Sequence, residues 1–304
     1  MTCPACGGEL GGAAPFRGVD RLLGTPGTFE VRICPRCGSG ATYPPAGPDE
    51  LPAFYPDTYA AHQRQLRGAL GLISRAIRAW QAALSLAQAP LAVLRRTPPG
   101  RLLDVGCGRG DLAAVFVGRR WRVTGIEPSP AAVAIAATRG VDARVGTLAD
   151  VALEPGAYDA VVFQHSLEHT PDPLGDLDRV RAALRPGGRV LVTLPNFSSW
   201  QRRRFRDRWF HLDLPRHRTH FSPHGLQAIL ERAGLTVEHV STSTSSVGLP
   251  ATVQYAIAGR CLFRAGLGAR VAVGLCALTL PPAWALNRVG GGGDVLHAVA
   301  VLRP

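Results

Sequence analysis

The chain contains no lysine. All 34 of its basic residues are arginine, set against 22 acidic ones, for a net charge of +12. Such a charge ordinarily suggests nucleic acid or an anionic membrane as partner. Here arginine, alanine, glycine and proline are abundant while lysine, asparagine and isoleucine are scarce. That skew reads as coding bias, so much of the charge is discounted as a report on a polyanionic partner. No early stretch joins a charged start to a long apolar run, and no signal peptide is expected. No internal repeat is visible. The uncharged run at 271–286 falls short of the ~20 residues a spanning helix needs and is broken by Pro281-Pro282. Cysteine is sparse: of seven, four fall in two CxxC pairs, and Cys107, Cys261 and Cys276 are scattered. This excludes a disulfide framework and fits a reducing, cytoplasmic compartment with one metal site.

The 304 residues, 46% hydrophobic and 18% charged, suffice for one large α/β domain and a small accessory module. Residues 1–45 are rich in Gly, Pro and Cys, with one strand-like run at Thr28 to Ile33. The pairs Cys3-Pro-Ala-Cys6 and Cys34-Pro-Arg-Cys37 are each followed by glycine, as turns that aim two thiolates at one metal require. Four thiolates suit a closed, structural Zn(II) site. A connector over 46–99 follows. It holds Tyr55 and Tyr59, which can form part of a lid or pack at a junction, and a long amphipathic basic helix over about 66–95.

From Arg101 onward short apolar runs alternate with helical segments, the pattern of a parallel sheet covered on both faces. Strands are expected at 101–105, 121–126, 142–145, 158–163, 188–194, 235–242 and 295–302. Helices are expected near 110–118, 129–139, 173–184 and 222–233. The apolar interval 248–292 exceeds what a sheet connection needs and reads as a helical insertion. It suits a lid or a homodimer surface, or else a peripheral contact with a membrane.

The run LLDVGCGRGDL places a buried strand before Gly106, Gly108 and Gly110 and opens a helix at Asp111. The spacing is GxGxG, not the GxGxxG of a dinucleotide fold. Glu127, at the end of the next strand, stands where a carboxylate can accept both hydroxyls of a ribose. Together these features point to an adenosyl group.

These segments, with GIEPSP, YDAVVFQHSLEHTPDP, LRPGGRVLVTLPN and HRTHFSPHGLQAILERAGL in order, resemble the class I S-adenosylmethionine-dependent methyltransferases over about 100–240 plus the final strand. The resemblance implies a Rossmann-like α/β domain over 100–304, with a seven-stranded sheet whose last strand is antiparallel. It places Asp104, Gly106 and Gly108, with Cys107 between them, along the methionine part of S-adenosylmethionine. Glu127 would then bind the ribose and Pro128 pack by the adenine. Thr147 and Leu148 would lie near the adenine amino group, and Gln164 and His165 beside the sulfonium. Many members carry an acidic residue where Thr147 stands. A zinc ribbon ahead of such a domain resembles a bacterial subgroup acting on sugars and other secondary metabolites.

Methyl transfer to a hydroxyl needs alignment and a base. His165 points toward the site, and His217 and His220, in the loop before the SPHGL helix, are the leading bases. Two or three of the histidines with Asp213 could hold a divalent metal, but no HxxxH or HxH spacing with a nearby carboxylate stands out. The expected function is O-methylation of a small-molecule or glycan acceptor. Sugar C-methylation is the alternative, as is RNA or protein methylation guided by the ribbon. Against nucleic acid, the fourth strand ends in QHSL rather than the Asn-Pro-Pro-aromatic tetrapeptide of base amino methylation.

Overall fold

The computed structural model describes residues 1–11, 16–47, 50–55, 90–260, 281–289 and 292–304. The expected basic helix up to residue 89, with Tyr59, lies outside these residues. So does the stretch 261–280 of the insertion, with Cys261 and Cys276. The described ends of the insertion are helical, at Gly248–Ala258 and at 281–289. Among the described residues no helix is long and apolar enough to cross a membrane.

Seven strands build the main sheet: β4 (Arg101–Val105), β5 (Arg122–Glu127), β6 (Asp142–Val145), β7 (Tyr158–Gln164), β8 (Leu184–Pro195), β10 (Thr236–Ser243) and β11 (Val295–Val301). Their order is β10-β11-β8-β7-β4-β5-β6, and β11 pairs antiparallel with both of its neighbours. The expected strands lie within the observed ones to a residue or so, except that β8 starts earlier. The central strands are near-continuous apolar runs because helices cover both faces, leaving Leu103, Val161, Phe163, Val190 and Val192 fully buried.

Three helices start by one local rule. Ser129, Asp172 and Ser222 each precede a proline, and each side chain accepts the backbone N–H three residues on, at 3.3, 3.0 and 2.9 Å. The cap satisfies an orphan amide, while proline in the first turn has no N–H to lose. The helices Pro130–Ala137, Pro173–Ala183 and Pro223–Arg232 follow. They set the loops at the carboxyl ends of the strands, where ligands of open α/β sheets bind.

The N-terminal module departs from its expected outline. Beside β2 (Phe29–Ile33) it has β1 (Phe16–Gly18) and β3 (Gly40–Tyr43), and the far edge of β3 is completed by β9 (Thr219–His220). The module is therefore stitched into the loop that carries the histidines. Asp20 and Arg216, both side chains fully buried, pair at 2.6 Å, and Arg216 also meets Asp213 at 2.6 Å. Burial pulls the Arg216 pKa down, but these two carboxylates outweigh it and the net shift is upward.

Candidate active site and metal centre

The four module cysteines converge. Cys3 Sγ lies 3.7 Å from Cys37 Sγ, and Cys6 Sγ 3.6 Å from Cys34 Sγ. All four thiols lie within 4.8 Å of one another, and none is in a disulfide. Tetrahedral Zn–S bonds of ~2.3 Å put neighbouring sulfurs ~3.8 Å apart, so the set fits zinc without rearrangement. Each knuckle closes by the same bond, Gly7 N–H to Cys3 O and Gly38 N–H to Cys34 O. Both glycines sit at φ near +75°, where a side chain would be strained. Arg232 of the Pro223–Arg232 helix donates to Ala5 O at 2.9 Å, and Ser222 Oγ donates to Cys37 O. The knuckles are thus pinned to the main domain.

At the end of β4, Gly106 takes φ +74°, and a Cβ there would stand 2.6 Å from the Cβ of Ser166. Above Gly108 nothing lies within 4 Å of an added Cβ, so this side of the loop is open to a ligand. Glu127, buried at the end of β5, accepts from Gly108 N–H and Ser129 N–H, both at 3.0 Å. Asp104 is 2% exposed and its Oδ1 has no partner. Burial pushes its carboxyl up to about 7, and the nearby Glu127 charge adds to the rise. Gln164 Oε1 is likewise buried without a partner. Two orphaned acceptors beside an open glycine loop suit a ligand that brings donors and positive charge, as the amino-acid part of S-adenosylmethionine does. Cys107 is buried behind the loop, and burial, then Asp104, pushes its thiol up and keeps it neutral. Leu148 is buried and Pro128 exposed. The Thr147 hydroxyl and amide both bond Asp150 Oδ2, at 2.7 and 2.8 Å, so Thr147 closes its own turn.

Ser166, which Gly106 abuts, lies between His165 and Glu168 in the chain. His165 occupies a left-handed backbone conformation, φ +54°, with its side chain 40% exposed. Non-glycine residues held there often mark functional positions. Its Nδ1 lies 3.5 Å from the Glu168 carboxylate. His217 Nε2 approaches the same carboxylate at 3.9 Å, and His217 Nδ1 bonds His211 O at 2.9 Å. Burial first, then the neighbouring His169 and His220, holds His217 well below the usual imidazole range, so it is neutral near pH 7. His220 is turned away. Its Nε2 bonds Thr42 Oγ1 of β3 at 2.9 Å, and burial, then Arg202, brings it down to about 3. Of the three expected bases, then, the fold brings His165 and His217 together and makes His220 a bracket to the module. A small enclosed space beside the cluster is bordered by Glu168, Phe197, Trp209, His217, Thr219 and His220.

A methyltransferase-domain family profile matches residues 73–240, more than half of the chain. The chain belongs to this family. Ubiquinone biosynthesis O-methyltransferase of Xanthomonas campestris pv. campestris is 38% identical over 106 residues, 33% of this chain and 44% of that protein. The chain thus spans under half the length of the relatives it matches in sequence. An S-adenosylmethionine-dependent methyltransferase from Thermotoga maritima superposes with TM-score 0.50 at 19% identity, covering 76% of this chain and 95% of that one. A chain from the Haloferax volcanii complex of the Trm112 methyltransferase activator with a methyltransferase does so with TM-score 0.52 at 18% identity, covering 76% and 92%. The fold is that of the class I S-adenosylmethionine-dependent methyltransferases.

In the sequence Glu168 and His169 are the lesser candidates for a direct role, with a structural role the leading reading. The LEH segment reads as the start of a turn, and it does form a short 3-10 turn at Leu167–His169. Sequence reasoning overlooked Phe197, Trp209 and Thr42, which no motif marks because their roles arise only when β3, β8 and the loop after β8 meet.

Proposed function

We propose that the protein transfers a methyl group from S-adenosylmethionine to a hydroxyl of a small-molecule acceptor, with Cys3, Cys6, Cys34 and Cys37 holding a structural zinc ion. The observation that carries this reading is the Asp104, Gly108, Glu127 cradle, whose Gly106 abuts Ser166, the residue that follows His165 in the chain and precedes the Glu168 to which His165 and His217 both come. The likeness to an O-methyltransferase of a small-molecule pathway supports transfer to oxygen.

When bound, S-adenosylmethionine supplies a methyl group on a sulfonium whose leaving group is a neutral thioether. Asp104 and Gln164 would accept from the amino-acid part and Glu127 from the ribose. Transfer would need the acceptor oxygen in line with the methyl carbon. His165 or His217, each backed by Glu168, would take the hydroxyl proton as the oxygen–carbon bond forms and the carbon–sulfur bond breaks with its electron pair on sulfur. Alignment carries most of the acceleration.

Calorimetry with S-adenosylmethionine and S-adenosylhomocysteine tests the cofactor, and methyl release to a panel of phenolic and sugar hydroxyls tests the transfer. Binding in the wild type that is lost in Glu127→Ala is expected. Absence of affinity for both ligands in a folded, zinc-loaded wild type would overturn the proposal.

A further inference from the structure

We propose that Glu168, His169 and His217 form a second metal site, for a divalent transition ion, separate from the cysteine cluster. One ligand atom from each lies within 4.8 Å of the others. The tautomers follow from the hydrogen bonds. His217 Nδ1 contacts the carbonyl of His211 at 2.9 Å, and His169 Nδ1 contacts the carbonyl of Arg216 at 3.2 Å and the Tyr55 hydroxyl at 2.9 Å. A carbonyl only accepts, so in each ring the proton sits on Nδ1 and Nε2 presents a lone pair. This is the outer-shell arrangement that orients imidazole ligands toward a metal.

The third ligand is Glu168, 1% exposed, neither of whose oxygens accepts a hydrogen bond. Its nearest basic neighbours are His165 Nδ1 at 3.5 Å and His217 Nε2 at 3.9 Å. A buried carboxylate with no hydrogen bond, beside the His217 Nε2 lone pair and within reach of a His169 ring nitrogen, gathers acceptors without a donor. That arrangement is costly unless a cation fills it. Asp213 Oδ2, 3.9 Å from His217 Nε2, offers a further oxygen at the rim.

Two imidazoles and a carboxylate suit Zn(II), Fe(II), Co(II) or Mn(II) and leave open coordination positions. Ion binding stands apart from the proposed reaction. If that reaction holds, an acceptor hydroxyl in an open position would ionise more readily, with His217 a ligand and His165 left to take the proton.

The test uses the full chain with its cysteines loaded with zinc. Mn(II) titrated into it, followed by electron paramagnetic resonance, should show one further bound ion. Glu168→Gln and His217→Ala should each weaken that binding about 100-fold or more while the cysteine zinc and the melting transition are retained. Co(II) at the second site of the wild type should show d–d bands without thiolate charge transfer, a readout independent of how the variants fold. No second ion of any of these metals in the wild type would overturn the proposal. So would undiminished binding in folded variants, or a thiolate band.

Discussion

Replacing Asp20 by alanine should cost far more than the loss of a surface charge, because it strips a buried cation of its partner. Asp20 accepts from Arg216 Nη1 at 3.0 Å and from Nη2 at 2.6 Å. Its oxygens also take the backbone amides of Leu22, Leu23 and Thr25, at 3.0, 3.0 and 3.3 Å. Both side chains of the pair are fully buried, so solvent screens little of this. Removing one partner of such a pair typically costs ~3–5 kcal/mol, and Asp213 is left as the only carboxylate on Arg216 in the described residues. At ~1.6 °C per kcal/mol for a chain this long, the melting temperature should fall by roughly 5–8 °C. Asp20→Asn, which keeps an acceptor, should fall by less. Burial raises the Asp20 pKa, but Arg216 and the amides outweigh it and the net shift is downward. The stabilisation is therefore present above the ordinary carboxylate range and lost as pH falls through the depressed value. A melt of Asp20→Ala within ~0.5 kcal/mol of wild type at pH 7, the range of an ordinary surface change, would refute the placement of the module against Arg216.

Asp104 carries the opposite sign. Its pKa is raised to about 7, so the wild type should lose stability as pH rises from about 4 to 7, and Asp104→Asn should be the more stable protein at pH 8 by a few kcal/mol in denaturant titrations. The same substitution should weaken S-adenosylmethionine binding in calorimetry; tighter binding would contradict the role given to the orphaned oxygen. Gly106→Ala combines a Cβ at 2.6 Å from Ser166 with φ +74° and should lower cofactor affinity by ~10-fold or more without unfolding the N-terminal module. Cys37→Ser, or a strong chelator, should remove the cysteine-bound metal measured by mass spectrometry and lower the melting temperature, because the cysteine knuckle also caps the loop at Ser222. Thr42→Val should reduce turnover while leaving cofactor affinity within ~2-fold, since it frees His220 and one bond to His217 O but touches nothing near the glycine loop.

The main sheet was legible because each strand is a short apolar run between turn signals, and each of three helices announces itself with a cap and a proline. The cofactor loop was legible for a related reason: Asp104, the glycines and Glu127 are tied to strand ends, so spacing along the chain maps onto spacing in space. The acceptor side was less so. His165 and His217 both come to Glu168, which stands inside what reads as a turn. His220 looked equivalent to His217 because nothing in the loop reveals that one ring faces Glu168 and the other Thr42. The small strands β1, β3 and β9 escaped notice because two to four residues among glycines and prolines carry no periodicity. β9, moreover, pairs with β3 from the far end of the chain.

That distance shapes how the protein is made. The ribosome delivers Gly40–Tyr43 long before Thr219–His220, and Asp20 long before Arg216. During the interval the nascent module has a bare strand edge and an uncompensated carboxylate, both hazards for aggregation. Zinc, captured early by cysteines that all precede residue 38, would hold the two knuckles together through that wait. Only when the loop after β8 emerges do the edge and the charge find their partners, and that loop brings His217 with it.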